Sequence, residues 1–96
     1  MEIRYDQAKH GRNLRERGLS FDDVAQFDFS TALVRRDARM DYGEERFVAL
    51  GLIDIRVHVV VFTRSFRGIR VISFRKANKR EVRHYENNQA FDNARG

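Results

Sequence analysis

The clearest pattern along this chain is an alternation of side chains in DIRVHVVVFT, residues 54–63. Successive residues of a strand point to opposite faces of a sheet. One face would hold only β-branched residues: Ile55, Val57, Val59 and Val61. The other face changes from polar to apolar: Arg56, His58, Val60 and Phe62. The pattern predicts a central strand whose second face is covered by other residues at its apolar end. RFVALG at 46–51 precedes it, and a brief turn around Leu52 and Ile53 predicts an antiparallel hairpin.

Three further segments have the composition of strands. EIRY at 2–5 and TALVRR at 31–36 are short candidates. RSFRG at 64–68 is typical of a turn, so residues 69–75 are predicted to form a strand that pairs back on 54–63. In this last strand we expect Ile72 and Phe74 to share one face. Val71, Ser73 and Arg75 would share the other.

Capping residues mark two helices before the sheet. Asp6 is suited to cap a helix over 7–17, which Gly18 would end. Ser20, with Asp23 three residues later, predicts a short capping box for a helix over 21–28. We expect three residues of this second helix region to face the core: Val24, Ala25 and Phe27.

A third helix follows the last strand. Asn78 and Glu81 predict a second capping box, and Val82 and Tyr85 would form the inner stripe. The fold class we expect is α+β: a small, mostly antiparallel sheet with helices before and after it, in the order β-α-α-β-β-β-α. The chain of 96 residues suits a single domain over 1–96, with residues 88–96 as a frayed tail.

Composition narrows the possible classes of protein. Hydrophobic residues make up 42% of the chain and eight residues are Phe, so the chain can build a core. The absence of cysteine excludes disulfides and thiolate ligands, and the three histidines lack metal-ligand spacing, so we expect neither metal nor cofactor. No apolar run approaches 18 residues and MEIRYDQAKH lacks an apolar signal region. We therefore expect a cytoplasmic protein with no membrane partner.

Positive charge is concentrated near the end of the chain. The net charge of the whole chain is +5, but residues 64–86 hold eight cations and two anions and are therefore +6. Such asymmetry indicates a polyanionic partner, most often nucleic acid, or an acidic protein. The alternative is that these cations are only a solvated surface.

Candidate chemistry follows from what is present and what is missing. A glycine-rich phosphate loop and a nucleophile elbow are both missing. Metal-independent RNA cleavage needs only in-line positioning of a 2′-hydroxyl, a cation for the developing charge, and proton transfer. Arginine can supply the cation but cannot act as the base. Proton transfer would therefore fall to Glu44, Glu81, Tyr85 or a histidine, or catalysis would depend mainly on electrostatics and positioning.

Each candidate also has a structural interpretation. Arg75, at a strand end, can grip phosphate or form an ion pair with Glu81 or Glu44. Four further cations around the start of the third helix can contact phosphates or simply be solvated: Lys76, Lys79, Arg80 and Arg83. Asp41, Glu44 and Arg46 can form a structural network where a strand begins. His58 is expected to be packed in its strand and His84 to be exposed on the basic helix. A basic module that binds nucleic acid without cutting it is the rival function.

Several stretches resemble the BrnT family of bacterial type II toxins. They are YDQAKHGRNLRERGLSF, DYGEERFVALG, VVVFT and RVISFRKANKREVRHYE, in order over residues 3–86. The most specific pattern is formed by Arg70, Ile72, Ser73, Arg75, Ala77, Glu81 and Tyr85. The resemblance implies a RelE-like ribonuclease fold and an RNA-cleaving toxin that blocks translation. It also implies a BrnA-like antitoxin partner, which would carry the DNA-binding domain, so contact with DNA would be indirect.

The resemblance also suggests which residues form the site. It implies catalytic roles for Arg75, Arg46, Glu81 and Tyr85, with Arg75 and Arg46 on the scissile phosphate and Tyr85 or Glu81 assisting proton transfer. RNA contacts are expected at Arg70, Lys76, Lys79, Arg80 and Arg83. The chain departs from the family where Arg17 stands in place of a histidine that relatives commonly have before Gly18. Any contribution of that histidine to catalysis in relatives is missing in this chain.

Overall fold

A five-stranded sheet forms the centre of the protein. The computed structural model describes the backbone of residues 1–95 and the side chains of residues 1–89. The elements in chain order are β1 (Glu2–Tyr5), α1 (Gln7–Arg17), a 3-10 helix (Phe21–Gln26), β2 (Leu33–Asp37), β3 (Arg46–Ile53), β4 (Arg56–Ser65), β5 (Gly68–Lys76) and α2 (Lys79–Arg95). The α+β class is confirmed. The predicted order β-α-α-β-β-β-α is wrong by one strand, because all four candidate segments between the helices are strands.

The strands lie in the order β1-β5-β4-β3-β2. Three neighbouring pairs are antiparallel and follow the chain as hairpins, while β1 pairs with β5 in parallel, with Ile3 opposite Ile69. The parallel pair brings two backbones close together at Gly68, where an added Cβ would lie 1.9 Å from the carbonyl oxygen of Glu2. Only glycine fits this position, and the turn before β5 therefore ends there.

The two helical regions before the sheet differ in type. α1 has the predicted bounds, with the Asp6 carboxylate accepting from the amides of Ala8 and Lys9 and Gly18 in the left-handed region at φ 68°. The second region is a 3-10 helix of six residues instead of a helix over 21–28. Its Ser20 hydroxyl accepts from the amide of Asp22, while the Asp23 amide donates to the Ser20 carbonyl, so the predicted capping box is not formed.

Only part of the predicted inner face of this 3-10 helix is correct. Val24 and Phe27 are buried, whereas Ala25 is exposed. A 3-10 helix has three residues per turn, so residues 21, 24 and 27 fall on one side. Phe21, which is fully buried, takes the place that the prediction gave to Ala25.

The β3–β4 turn lies two residues later than predicted. Leu52 and Ile53 remain in β3, and the turn is made by Asp54 and Ile55. Asp54 has φ 52°, a left-handed conformation that aspartate tolerates better than β-branched residues do. Ile55 is consequently 96% exposed at the tip and does not share a strand face with Val57. The short strand predicted at 31–36 is likewise shifted, to Leu33–Asp37.

An irregularity in β5 changes which of its residues share a face. Val61 is opposite Ser73 and Phe62 is opposite Val71, so Ile72 is an extra residue on β5. A β-bulge of this kind resets the alternation of side chains. Val71 and Phe74 therefore both enter the core, and the expectation that Ile72 shares a face with Phe74 is wrong.

The core lies on one face of the sheet. It is formed with the 3-10 helix and contains Phe21, Val24, Phe27, Ala49, Val60, Phe62, Ile69, Val71 and Phe74. Tyr85 of α2 is 5% exposed and lines a cleft with Leu52 and Val57 of the sheet. In the part of the chain that the structure describes, no helix is both long enough and apolar enough to cross a membrane. The prediction of a frayed tail falls mostly on residues 90–96, outside the described side chains, and stays a prediction.

Candidate nucleic-acid interface

Four arginines of the sheet face opposite the core form what we call the arginine face: Arg35, Arg46, Arg70 and Arg75. Arg4 of β1, opposite Arg70, lies on the same side of the sheet. Strand register places them there. Ala49 and Val60 are opposite each other in the core, so the neighbouring pairs Val48–Val61 and Leu50–Val59 point to the other side. Arg35 lies opposite Val48, and Arg75 lies opposite Val59. The sheet thereby gathers cations from three strands onto one surface.

Arg75 is held by a bidentate ion pair at one end of this face. Its Nη1 and Nη2 donate to Oε1 and Oε2 of Glu81 at 2.8 and 2.9 Å. The hydrogen bond from Arg75 lowers the pKa of Glu81, and the same bond raises the pKa of Arg75, in each case against the effect of burial. Both groups therefore remain charged across the physiological range.

Glu81 also fixes the start of α2. Its Oε1 accepts from the Asn78 amide at 2.9 Å, and its own amide donates to Asn78 Oδ1 at 2.9 Å. The predicted capping box of α2 is confirmed by this reciprocal pair. One carboxylate thus joins the end of β5 to the first turn of α2, so the position of Arg75 is coupled to the position of the helix.

A second group of charges is centred on Glu44. Arg70 Nη2 donates to both oxygens of Glu44, at 2.8 and 2.7 Å, and Arg46 Nε lies 3.7 Å from Oε1. The Arg46 guanidinium is 4.0 Å from the ring centroid of Tyr42, a cation–π geometry. Among the described residues, the buried Arg46 Nε has no hydrogen-bond partner. Of the network expected at the start of β3, the Glu44–Arg46 pair is present and Arg70 joins it, whereas Asp41 accepts from the Gly43 amide instead.

Tyr42 connects this group to a buried carboxylate. Its hydroxyl donates to Asp37 Oδ2 at 3.2 Å. Arg39 donates to both oxygens of Asp37, at 2.8 Å each, and these bonds hold the pKa of Asp37 well below its ordinary value. Asp37 is 4% exposed, so its charge depends on these donors.

The predicted catalytic residues do not form one cluster. Arg75 and Arg70 lie at opposite ends of β5, about 15 Å apart along the strand, and Arg46 lies with Arg70. Tyr85 is a buried residue of α2, and its hydroxyl donates to Thr31 Oγ1 at 3.4 Å. The structure brings Arg75 and Glu81 together, and it groups Arg46 with Arg70 through Glu44.

The predicted RNA contacts also divide by location. Arg80 faces a groove of about 320 Å³ between α2 and the sheet, lined by Arg35, Val48, Leu50, Arg80, Glu81 and His84. We call this the α2 groove. Lys79 and Arg83 line a different cleft, next to Arg56. Lys76 is exposed at the end of β5. Of the helical cations, Arg80 is therefore the one next to the Arg75–Glu81 pair.

Arg35 is missing from the residues predicted from the sequence, and His84 was predicted only to be exposed and, with the other histidines, as an unassigned candidate for proton transfer. The alternation in LVRRD places Leu33 and Arg35 on one face of a strand, which is the available signal for Arg35. His84 follows Arg80 by four residues, which is one turn of a helix and the same helical face. That spacing was the available signal for a shared groove.

Arg17 lies at the edge of the sheet. It lines a cleft of about 250 Å³ with Lys9, Arg12, Asn13, Glu16, Ile72 and Ser73. Asn13 donates to the Leu19 carbonyl and accepts from the Phe74 amide, which ties α1 to the bulge of β5. In the described part of the chain, no group of three or more His, Cys, Asp or Glu residues is placed to hold a metal ion.

Comparison with known proteins identifies similar sequences and structures. The sequence model of a family described as "Ribonuclease toxin, BrnT, of type II toxin-antitoxin system" matches residues 5–81. The 1.1 Å crystal structure of the Brucella abortus ribonuclease toxin BrnT matches with a TM-score of 0.64 and 28% identity, covering 82% of this chain and 99% of that chain. Curated protein sequences give no significant match.

Proposed function

Because this chain belongs to the BrnT family of ribonuclease toxins of type II toxin–antitoxin systems, we propose that it cleaves RNA without a metal ion and thereby blocks translation. As a toxin of such a system it acts on RNA and pairs with an antitoxin. The observation that supports cleavage of RNA without a metal ion is the arginine face, on which the ion pair with Glu81 holds Arg75 beside the α2 groove. RelE-like ancestry of the fold stays a prediction.

Arg75 is proposed to bind the scissile phosphate. A guanidinium has five N–H donors, of which Arg75 uses two on Glu81 and one on the Lys76 carbonyl at 3.4 Å. In the described part of the chain, Nε and the second hydrogen of Nη2 have no acceptor. These two donors lie on one edge of the guanidinium, which can therefore grip two phosphate oxygens while the other edge stays on Glu81.

This arrangement suits electrostatic catalysis. Attack of the 2′-oxygen on phosphorus builds negative charge on the non-bridging oxygens, and a cation already fixed in place stabilises that charge without reorganisation. The bidentate bond to Glu81 supports a role for this carboxylate in orienting Arg75. Proton transfer by Glu81 or Tyr85 stays a prediction: Glu81 already accepts three hydrogen bonds, and Tyr85 is buried.

Arg46 and Arg70 are proposed to contact RNA at the other end of the same face. Arg70 is half-exposed beside Glu44, and an extended polyanion that crosses the sheet reaches both ends. Arg80 would contact the backbone from α2. Lys76, Lys79 and Arg83 remain proposed RNA contacts outside the arginine face.

The proposed partner is a BrnA-like antitoxin. An acidic segment of that protein would cover the arginine face, because the surface that binds phosphate also attracts carboxylates. The antitoxin would inhibit the toxin by occupying the RNA site, and DNA would be bound only through the antitoxin. We propose that the toxin acts in the cytoplasm, where its RNA target is found.

The test combines expression in a bacterium with cleavage of purified RNA. Wild type should arrest growth and cut RNA in the presence of EDTA, and Arg75→Ala should lower the cleavage rate by about 100-fold or more, as loss of one charge-stabilising donor does. Arg15→Ala is the matched control, because Arg15 is exposed on α1 away from the arginine face.

The outcomes separate the proposal from its rival. Cleavage that EDTA abolishes would contradict metal independence. Tight RNA binding without cleavage by wild type would favour the rival, a non-catalytic basic nucleic-acid-binding module. Growth arrest without a fall in protein synthesis would contradict the block of translation.

A further inference from the structure

A second group of cations lies on α1, outside the arginine face. A cleft of about 250 Å³ between α1 and β5, which we call the α1 cleft, is lined by three of them: Lys9, Arg12 and Arg17. Glu16 is the acidic residue of the same lining, so the ionisable side chains of the cleft have a net charge of +2. In the part of the chain that the structure describes, no ion pair involves any of the three cations. The cleft is therefore a concave surface whose positive charge is available to an anion from outside the protein.

The stability of α1 does not account for these positions. Lys9 lies in the first turn of α1, where the positive end of the helix dipole disfavours a cation. Arg17 lies in the last turn, where a cation is favoured, but Arg15 makes the same interaction from the same turn without lining the cleft. The position of Lys9 in particular favours a role for its charge outside the helix.

A buried side chain fixes α1 against the sheet at the middle of the cleft. Asn13 is 6% exposed, donates to the Leu19 carbonyl and accepts from the Phe74 amide. Lys9 and Arg17 are each four residues from Asn13, so they lie one helix turn away on either side of it, on the same face of α1. Their long side chains can therefore reach the same anion above Asn13. Because the helix is already held in place, binding there needs no rearrangement of the backbone.

The α1 cleft meets the arginine face at Ser73, which lines the cleft from β5. Ser73 lies opposite Val61 of β4, and Arg75 lies opposite Val59. Val59 and Val61 share a face, so Ser73 and Arg75 share it too, with Cα atoms roughly 6–7 Å apart along the strand. The Ser73 hydroxyl can donate to a phosphate oxygen. A strand of RNA bound at Arg75 thus has a continuous path past Ser73 into the α1 cleft.

We propose that the α1 cleft binds one of the RNA phosphates that flank the scissile phosphate, an inference that rests on the proposed ribonuclease function. Lys9 and Arg17 contact the phosphate oxygens, and Arg12 adds positive charge at the exposed rim of the cleft. Phosphate contacts fix the register of a nucleic acid on a protein without specifying its sequence. The cleft would therefore act as a positioning site, because a strand held there is fixed along β5 with its scissile phosphate at Arg75.

The test replaces single phosphates of an RNA oligonucleotide that wild type cleaves by uncharged methylphosphonates. The oligonucleotide carries 2′-deoxyribose at the scissile position, so it binds without being cut. Each of the two phosphates on either side of the scissile phosphate is replaced in turn. At one of these positions the Kd of wild type should rise about tenfold, because a charge-assisted contact is lost. Arg17→Gln and Lys9→Gln already lack one partner of that phosphate, so their Kd should rise less than threefold at the same position.

Arg15→Gln is the matched control, because it removes the same charge from the last turn of α1 without changing the lining of the cleft. It should keep the tenfold sensitivity of wild type. Equal sensitivity of all variants at every position, or a wild type that is insensitive at all four positions, would overturn the proposal while leaving ribonuclease function intact.

Two further outcomes identify a different cause. If Arg17→Gln and Lys9→Gln keep the full sensitivity but bind the antitoxin more weakly than Arg15→Gln does, the cleft accepts an acidic protein segment, which also overturns the proposal. Failure of wild type to cleave any RNA would overturn the proposed function, and this inference with it.

Discussion

Arg75 combines a structural role with the proposed catalytic one, because one edge of its guanidinium bonds Glu81 and another edge has free donors. The sequence indicates the strand end and the capping box that follows it, and it does not distinguish Glu81 from Glu44 as the partner of Arg75. The structure selects Glu81 because the capping box places its carboxylate over the end of β5. Ion pair and phosphate ligand are then compatible, since the pair uses one edge of the guanidinium and leaves the other.

Asp37 shows what the sequence did not indicate. Nothing in VRRDARMDY marks this aspartate as buried, yet it is the acceptor for Arg39 and Tyr42. Its partners follow within five residues, and they reach the carboxylate because the chain bends at residues 39–40. A charged residue at the end of a short edge strand looks like any solvated residue until the partners are in place.

Replacing Asp37 by Asn should remove a pH-dependent part of the stability. The folded pKa of Asp37 lies below its ordinary value of 3.8. The stability that its charge contributes is therefore fully present above about pH 4 and is lost as pH falls through the folded pKa. Thermal unfolding from pH 2 to 7 should show wild type above Asp37→Asn at neutral pH, with the two Tm values converging in acid. A constant Tm difference at every pH would contradict this assignment.

At the scale of elements, local sequence signals predicted which segments are helices or strands better than they predicted how the strands pair. Caps at Asp6, Gly18 and Asn78 are local interactions, and they fixed the start or end of both α-helices. The bulge at Ile72 depends on pairing between β4 and β5, which no local pattern contains. The sequence places the β3–β4 turn at Leu52 and Ile53 instead of at Asp54. Leu52 and Ile53 continue β3 because they pair with Val57 and Arg56 of β4.

Gly68→Ala should separate β1 from the sheet. The added methyl group would meet the backbone of Glu2, which cannot move aside as a flexible side chain can. We expect a loss of about 1–3 kcal/mol in the free energy of unfolding, the usual cost of overpacking. Urea denaturation measures this loss, and amide exchange in Ile3 and Tyr5 should quicken.

Gly11→Ala is the matched control for that prediction. Gly11 lies inside α1, and an added Cβ would meet only the end of the Arg15 side chain at 3.2 Å. Alanine there should stabilise the protein by up to about 1 kcal/mol, because glycine is a poor helix former. Equal destabilisation by the two substitutions would show that the close approach of Glu2 is not the cause.

At the scale of the whole molecule, the sheet redistributes the charge that the sequence shows. The charge count over residues 64–86 includes Arg70, Arg75 and the cations of α2, while the rest of the chain has a net charge of −1. Folding places Arg35 and Arg46 from that remainder beside them on one face. Lys79 and Arg83 instead line a cleft with Arg56, separate from the α2 groove. The charge density along the sequence therefore indicated a polyanionic partner, but it identified only part of the arginine face.

Arg35→Gln offers the sharpest measure of that surface. Arg35 lies on the arginine face, whereas its neighbour Arg36 points to the opposite face, near Phe47, and pairs loosely with Glu45 at 3.9 Å. Each phosphate contact on single-stranded nucleic acid contributes about 0.7 to the slope of log K against log salt concentration. With an uncleavable 2′-deoxy-substituted oligonucleotide, Arg35→Gln should weaken binding and lower the slope by about 0.7.

Arg36→Gln carries the same change in net charge on the same strand, so it controls for long-range attraction. It should leave the slope near the wild-type value, because a cation on the other face displaces no counterion from bound RNA. Equal slopes for the two variants would mean that the RNA does not distinguish the faces of β2, and that attraction by net charge alone accounts for binding. A lower slope for Arg35→Gln alone would place the RNA over the sheet face that also carries Arg75.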